Sequence, residues 1–147
     1  MSNRYILILI SVLPLLFSCS ATAPEGLGVF EDKLSDCPAS PNCVSTMESE
    51  DDEKHYMEPL QFDDLQEARL KVISIIMETP RTEILLQNRE YIHAEYTTPI
   101  LRFVDDVEFY FDTENKLLHF RSASRVGYSD FGANRRRMEK FKKAYLE

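Results

Sequence analysis

Between Val104 and Ser124 the chain alternates apolar with ionic side chains on both sides of Thr113-Glu114-Asn115. A period of two marks strands with one covered face, and the triplet between them is turn chemistry. Residues 104–112 and 116–124 are therefore predicted to pair as a hairpin. Val107, Phe109, Phe111, Leu118 and Phe120 fall on one side of it, and that side must be covered by something apolar. The same period assigns Ile92, Ala94 and Tyr96 to the covered face of a strand over 91–97, preceded by a strand over 82–87 and a turn at Asn88-Arg89 or Arg89-Glu90. Pro99 interrupts this run.

The cover comes from two stretches with a different period. Over 62–79, Leu65, Ala68, Val72, Ile75, Ile76 and Thr79 recur at helical spacing, with Ile73 and Met77 widening the stripe. Asp63 with Gln66 reads as a capping box at its start, and Pro80 forbids continuation. Gly127-Tyr128-Ser129-Asp130 supplies a turn and a cap at Ser129 or Asp130 for a second helix over 131–146, whose core positions are Asn134, Met138, Phe141 and Tyr145. The expected fold class is α+β, a two-layer sandwich in which an antiparallel sheet of about four to five strands carries two helices on one face. A short edge strand at Val44-Ser45-Thr46 is the candidate fifth member.

At 147 residues there is room for one domain. Residues 1–18 carry one charge, Arg4, and an apolar run from Tyr5 to Phe17 that is short for a membrane span, so they read as a secretion signal. Leu16-Phe17-Ser18-Cys19 resembles the lipobox of bacterial lipoproteins, which makes Cys19 the expected lipidation site, acylated with chains such as palmitate. Ser20 resembles the residue that follows the cysteine in lipoproteins sorted to the outer membrane. Residues 19–33 are expected to be a tether and 34–147 the folded body, lipid-anchored in the cell envelope and facing the periplasm. The net charge of −8 becomes −9 once Arg4 is removed, which argues against a nucleic-acid partner. In an oxidising envelope, Cys37 and Cys43 form an even pair at short separation and are predicted to be disulfide-bonded. The acidic run between Met47 and Met57 reads as a solvated loop.

Opposite the covered side of the sheet lie His93, Glu95, Asp106, Glu108, Tyr110, His119, Arg121 and Arg125. Such a surface serves solubility and cross-strand pairing, or collects ligands: imidazole and carboxylate are the donor types of a metal or acid–base site. Asp105 breaks the alternation and needs either a bulge or a cation, with Arg102 and the arginines from Arg135 onward as candidates. Arg135, Arg136 and Arg137 lie where a helix dipole disfavours cations. With Arg121, Ser122, Ser124, Arg125 and Asn134, the first two of these form a candidate site for a phosphate, sulfate or carboxylate. The competing arrangement pairs Asp105, Asp106 and Glu108 with Arg121, Arg125 and Arg135 or Arg136. No nucleophile elbow, phosphate-binding glycine loop or zinc-protease motif is present, so no catalytic residue, metal ligand set or cofactor is assigned.

The segments Cys37-Pro-Ala-Ser-Pro-Asn-Cys43-Val44-Ser45, Tyr91–Tyr96, Arg102–Phe109 and Arg121–Arg137, in this order, resemble the DUF1499 family, whose function is uncharacterised. The resemblance runs from about Leu34 to the C-terminus. It implies that these motifs form one site with Pro38–Asn42 packed beside it, and supplies no catalytic roles. The functional expectation is a binding or scaffold module for an anionic small molecule, a lipid headgroup or an envelope protein. Its alternatives are a metal-dependent or acid–base hydrolase using the His and carboxylate face, and a purely structural envelope protein.

Overall fold

The computed structural model describes residues 23–147; the signal, the lipobox and Cys19 lie outside the described residues. Among the described residues eight elements follow one another: β1 (Cys43–Ser45), β2 (Leu60–Gln61), α1 (Leu65–Glu78), β3 (Thr82–Gln87), β4 (Tyr91–Thr97), β5 (Val104–Asp112), β6 (Leu117–Ser124) and α2 (Ala133–Leu146). The fold mixes helix and antiparallel sheet as expected, but the sheet has six strands in the order β1-β6-β5-β4-β3, with β2 also on β6. The extra strand arises because two short segments share the free edge of β6: Cys43–Ser45 pairs with Arg121–Ala123, and Leu60–Gln61 with Leu117–Leu118. A two-residue strand leaves no periodicity to read, so β2 was invisible in the sequence.

Each helix end has a chemical cause. The α1 cap is Asp64, not Asp63: its carboxylate accepts the Glu67 N–H at 2.9 Å. At the other end Pro80 stops the helix, and the Thr82 hydroxyl, first in β3, shares its one O–H between the Ile76 and Thr79 carbonyls, each 2.7 Å away. Met77, expected in the stripe, is 73% exposed and outside it. Before α2, the Asp130 carboxylate accepts the Gly132 and Asn134 N–H groups at 2.9 and 2.7 Å. Gly132 occupies the N-cap position with φ 76°, and a Cβ there would come within 3.0 Å of the Arg136 guanidinium.

The core follows the alternation. Ala68, Val72 and Ile76 of α1 and Met138, Phe141 and Tyr145 of α2 form one buried cluster with Ile92, Ala94, Val107, Phe109, Phe111, Leu118 and Phe120. The Phe109 and Phe141 rings lie 4.7 Å apart. The register is continuous from β4 through β5 to β6, and the one irregularity lies in β3 between Ile84 and Leu86. Asp105 therefore sits on the core side of an unbulged strand, opposite Tyr96 and Ser124.

The other face of the sheet is not wet. The chain folds back over it: the Gly28 N–H donates to Glu108 at 2.8 Å, and Val29, Leu34 and Met47 pack with Tyr91 and Tyr110 in a second apolar cluster. Packing thus begins at Gly28, inside the stretch read as tether. Cys37 and Cys43 are disulfide-bonded, with Cα atoms 5.7 Å apart. Among the described residues, no helix is long and apolar enough to cross a membrane.

Candidate functional site

The four sequence motifs converge at the end of the sheet where β5 begins and β6 ends. On the face under the N-terminal segment, Asp106 is the central acceptor. It takes both Nε and a terminal nitrogen of Arg125, at 2.8 and 2.7 Å, and His93 Nε2 at 2.8 Å. Arg125 reaches on to Glu95. Burial opposes ionisation of Asp106, but the hydrogen bonds from Arg125 and His93 outweigh it and hold the carboxyl below the usual aspartate range. One residue pair along, the fully buried Glu108 accepts from Arg121 at 3.1 Å, from the Tyr91 hydroxyl at 2.8 Å and from the Gly28 N–H. Burial, then the Glu108 charge, pushes the Tyr91 phenol well above its ordinary value, so it remains a donor. Arg121 Nε is buried without a partner among the described residues.

On the core side, Asn134 is a fully buried hub. Its amide nitrogen shares its two N–H groups among the Asn42 carbonyl, the Ser124 hydroxyl and Asp130 at 2.9, 3.0 and 2.8 Å, and its oxygen accepts from Ser122 and Arg137 at 2.6 Å each. Arg137 also pairs with Asp105 and lies over the Tyr96 ring, 4.8 Å from its centroid. The cation for Asp105 is thus Arg137, neither Arg102 nor Arg135 or Arg136. Helical phase explains the choice, since Arg137 lies one turn from Asn134 on the buried stripe. Arg135 points the other way and donates to the carbonyls of Glu53, Lys54 and Tyr56 at 3.2, 3.0 and 3.1 Å, and Arg136 to the Phe131 carbonyl at 2.7 Å. Asn42 completes the link: its side chain donates to the Gly127 carbonyl at 2.7 Å.

The residues expected to hold an anion are therefore distributed over two faces. Arg121 and Arg125 lie with Asp106 and Glu108, whereas Ser122, Ser124 and Asn134 lie with α2, and every arginine of the set bonds a protein acceptor. His93 and His119 serve separate partners, Asp106 and the Thr46 hydroxyl at 3.0 Å. Burial pushes the His119 imidazole below its ordinary value. Among the described residues no three His, Cys, Asp or Glu side chains are grouped to hold a metal ion.

Above the Asn134 hub opens an apolar cleft of about 600 Å³. One wall is the β4–β5 loop, closed on itself by the Thr98 N–H to the Phe103 carbonyl and the Phe103 N–H to the Thr98 hydroxyl, both 2.8 Å. It presents Ile100, Leu101 and Phe103; the facing wall, between β6 and α2, presents Val126 and Phe131, and Asp105 and Ser124 line the space between them. These apolar residues were not singled out from the sequence. Two adjacent large aliphatics after Pro99, in a loop between strands, were the available signal.

Residues 33–145 match the family described as a protein of unknown function, DUF1499. No curated protein matches the chain. The match takes in β1 through nearly all of α2, with the ion pairs and the Asn134 hub inside it. The chain belongs to the DUF1499 family.

Proposed function

We propose that this protein is a binding module of the bacterial envelope, held by a lipid on Cys19 and facing the periplasm at the outer membrane, and that it recognises its ligand through the apolar cleft. In this reading the domain is a two-layer sandwich with both helices on one face. The ionic residues of the motifs are its framework: they fix the two loops that form the cleft. The observation that carries the reading is the cleft itself. A cavity of about 600 Å³ lined by Ile100, Leu101, Phe103, Val126 and Phe131 has the size and chemistry of a small-ligand site. The arginines of the anion reading already bond protein acceptors, so recognition is assigned to the cleft rather than to them. His93 and Asp106 are buried and mutually engaged, which removes that pair as the acid–base couple of the hydrolase alternative.

The test is uptake of the apolar fluorophore N-phenylnaphthylamine. Saturable binding is expected, reduced at least about tenfold by Val126→Trp, which fills the cleft from a partly exposed position. Binding that is unsaturable, or identical in the variant, overturns the assignment.

A further inference from the structure

We infer that the cleft end of the domain docks on the surface of a bilayer containing anionic phospholipid; this deepens the reading of the cleft as the binding surface and rests on it. Twelve large hydrophobic residues are exposed among the described ones, and half of them, Ile100, Leu101, Phe103, Val126, Tyr128 and Phe131, belong to the two cleft loops. Scattered exposed hydrophobics need no explanation, but a cluster on two facing loops does. Ile100 is 87% and Phe131 88% exposed, so these side chains are the outer rim of the cleft rather than its lining alone. Aliphatic side chains beside Tyr and Phe suit the headgroup boundary of a membrane.

The charge distribution selects the partner. Arg102 is the only charged residue between Tyr96 and Val104. Its backbone is left-handed, φ 52°, and while Leu101 and Phe103 line the apolar cleft, Arg102 lines a polar groove with Arg81, Thr82, Glu83, Glu95 and Thr97. Among the described residues Arg102 has no acceptor, and Arg81 gives only Nε to the Thr97 carbonyl at 3.2 Å. Glu95 is taken by Arg125, which leaves Glu83 as the opposing charge in the groove. Arg136 stands beside Phe131 on the other loop. In a chain of net charge −8, the cations Arg81, Arg102 and Arg136 of this end stand against Glu83 and the cleft-lining Asp130, while Asp105 and Glu95 are paired with Arg137 and Arg125. The far end carries Asp112 at the end of β5, Glu114 and Lys116 in the β5–β6 turn, Asp63, Asp64 and Glu67 where β2 passes into α1, and Arg69 against the β3–β4 turn. Phosphate headgroups above the arginines and acyl chains against Ile100 and Phe131 match both features, and the acidic end would face away.

The anchor is compatible in reach. From Cys19 to Gly28 the chain spans at most on the order of 30 Å, and Glu108, where Gly28 is bound, lies roughly 13 Å along β5 from Val104. A lipid on Cys19 and the cleft rim can therefore rest on one membrane.

The experiment is sedimentation of residues 23–147, which contain every described strand and helix, the disulfide and both clusters, with phosphatidylethanolamine vesicles with and without about one third phosphatidylglycerol. Binding is expected on the phosphatidylglycerol vesicles, weakened about fivefold by each of Arg81→Gln and Arg102→Gln, with a smaller salt dependence. It is expected to fall by more than about tenfold in Ile100→Ser/Phe131→Asn, whose fold is checked by circular dichroism. Binding that is equal in wild type and the rim variant overturns the inference, as does its absence. If vesicle binding fails while N-phenylnaphthylamine is still taken up, the cleft reading stands and the membrane inference falls; if both fail, both fall. Self-association abolished by the rim variant, without vesicle binding, would assign the surface to a second copy instead and also overturn it.

Discussion

Asp106 combines near-complete burial with two cationic or imidazole partners, so its behaviour with pH is predictable in sign. Its folded pKa lies below the ordinary 3.8, and the unfolded chain therefore takes up the proton first as pH falls. The stability it contributes is complete above about pH 4 and is lost as pH drops through the folded value. Urea midpoints measured from neutral pH down through the acid range should fall in wild type and fall less steeply in Asp106→Asn. Removing the partner is more damaging: Arg125→Met leaves Asp106 and Glu95 facing each other across β4 and β5 and should lower stability by about 3–5 kcal/mol in urea titration. Asn134 gives a sharper discrimination. Its amide nitrogen has three acceptors within 3.0 Å for its two N–H groups, so the isosteric Asn134→Asp replaces a donor by a carboxylate oxygen facing Asp130 and the Asn42 carbonyl. It should destabilise by at least about 3 kcal/mol and more than Asn134→Ala, because repulsion adds to the lost bonds. Calorimetry on the two variants separates a hydrogen-bond hub from a merely space-filling residue.

At the level of elements, the α1 cap and the cleft loops make opposite predictions. Asp64→Ala should cost about 1 kcal/mol and Asp63→Ala close to nothing, since only Asp64 accepts from the helix. Phe131 has φ 54° and is 88% exposed, a conformation that a bulky residue resists and asparagine tolerates. Phe131→Asn should therefore raise the melting temperature while removing docking, the pattern of a residue kept for recognition at the expense of stability. A lower melting temperature in this variant would instead assign Phe131 a packing role. The disulfide closes a short loop between Cys37 and Cys43 and should contribute about 2 kcal/mol, read as the midpoint shift of Cys37→Ser/Cys43→Ser. Loss of that loop also loosens Asn42, so the shift should be smaller when Asn134 is already Ala.

Over the whole molecule, the ionic residues and the apolar surface exchange the roles expected of them. A sheet face of His, Asp, Glu and Arg suggested a wet surface; the segment from Gly28 to Met47 lies over it, and Glu108 and Asp106 are buried while Ile100 and Phe131 stand in solvent. In the reading proposed above, paired charges under a cover are the rigid framework from which the two cleft loops project. The prediction at this scale is that Ile100→Ser, at 87% exposure, shifts stability by no more than about 0.5 kcal/mol while changing vesicle binding.

The periodicity of the chain was enough to determine strands β3 to β6, the position of α1, the buried stripe Asn134, Met138, Phe141 and Tyr145, and the Cys37–Cys43 bridge, because strand alternation, helical spacing and cysteine chemistry are local properties. That Asp105 needed a cation was equally legible, since a carboxylate in an apolar row cannot stand alone. Which arginine answers it was not: the choice of Arg137 depends on how α2 is rotated over β5, and α1 and α2 meet the sheet through contacts far apart in sequence. The burial of the ionic face depends on a segment some 80 residues away in the chain, Gly28 against Glu108. The cleft exists only because two loops that share no sequence signal meet at the same end of the same sheet. Local pattern determined the elements and the need for charge compensation; tertiary packing decided the partners, the covered face and the apolar surface left exposed.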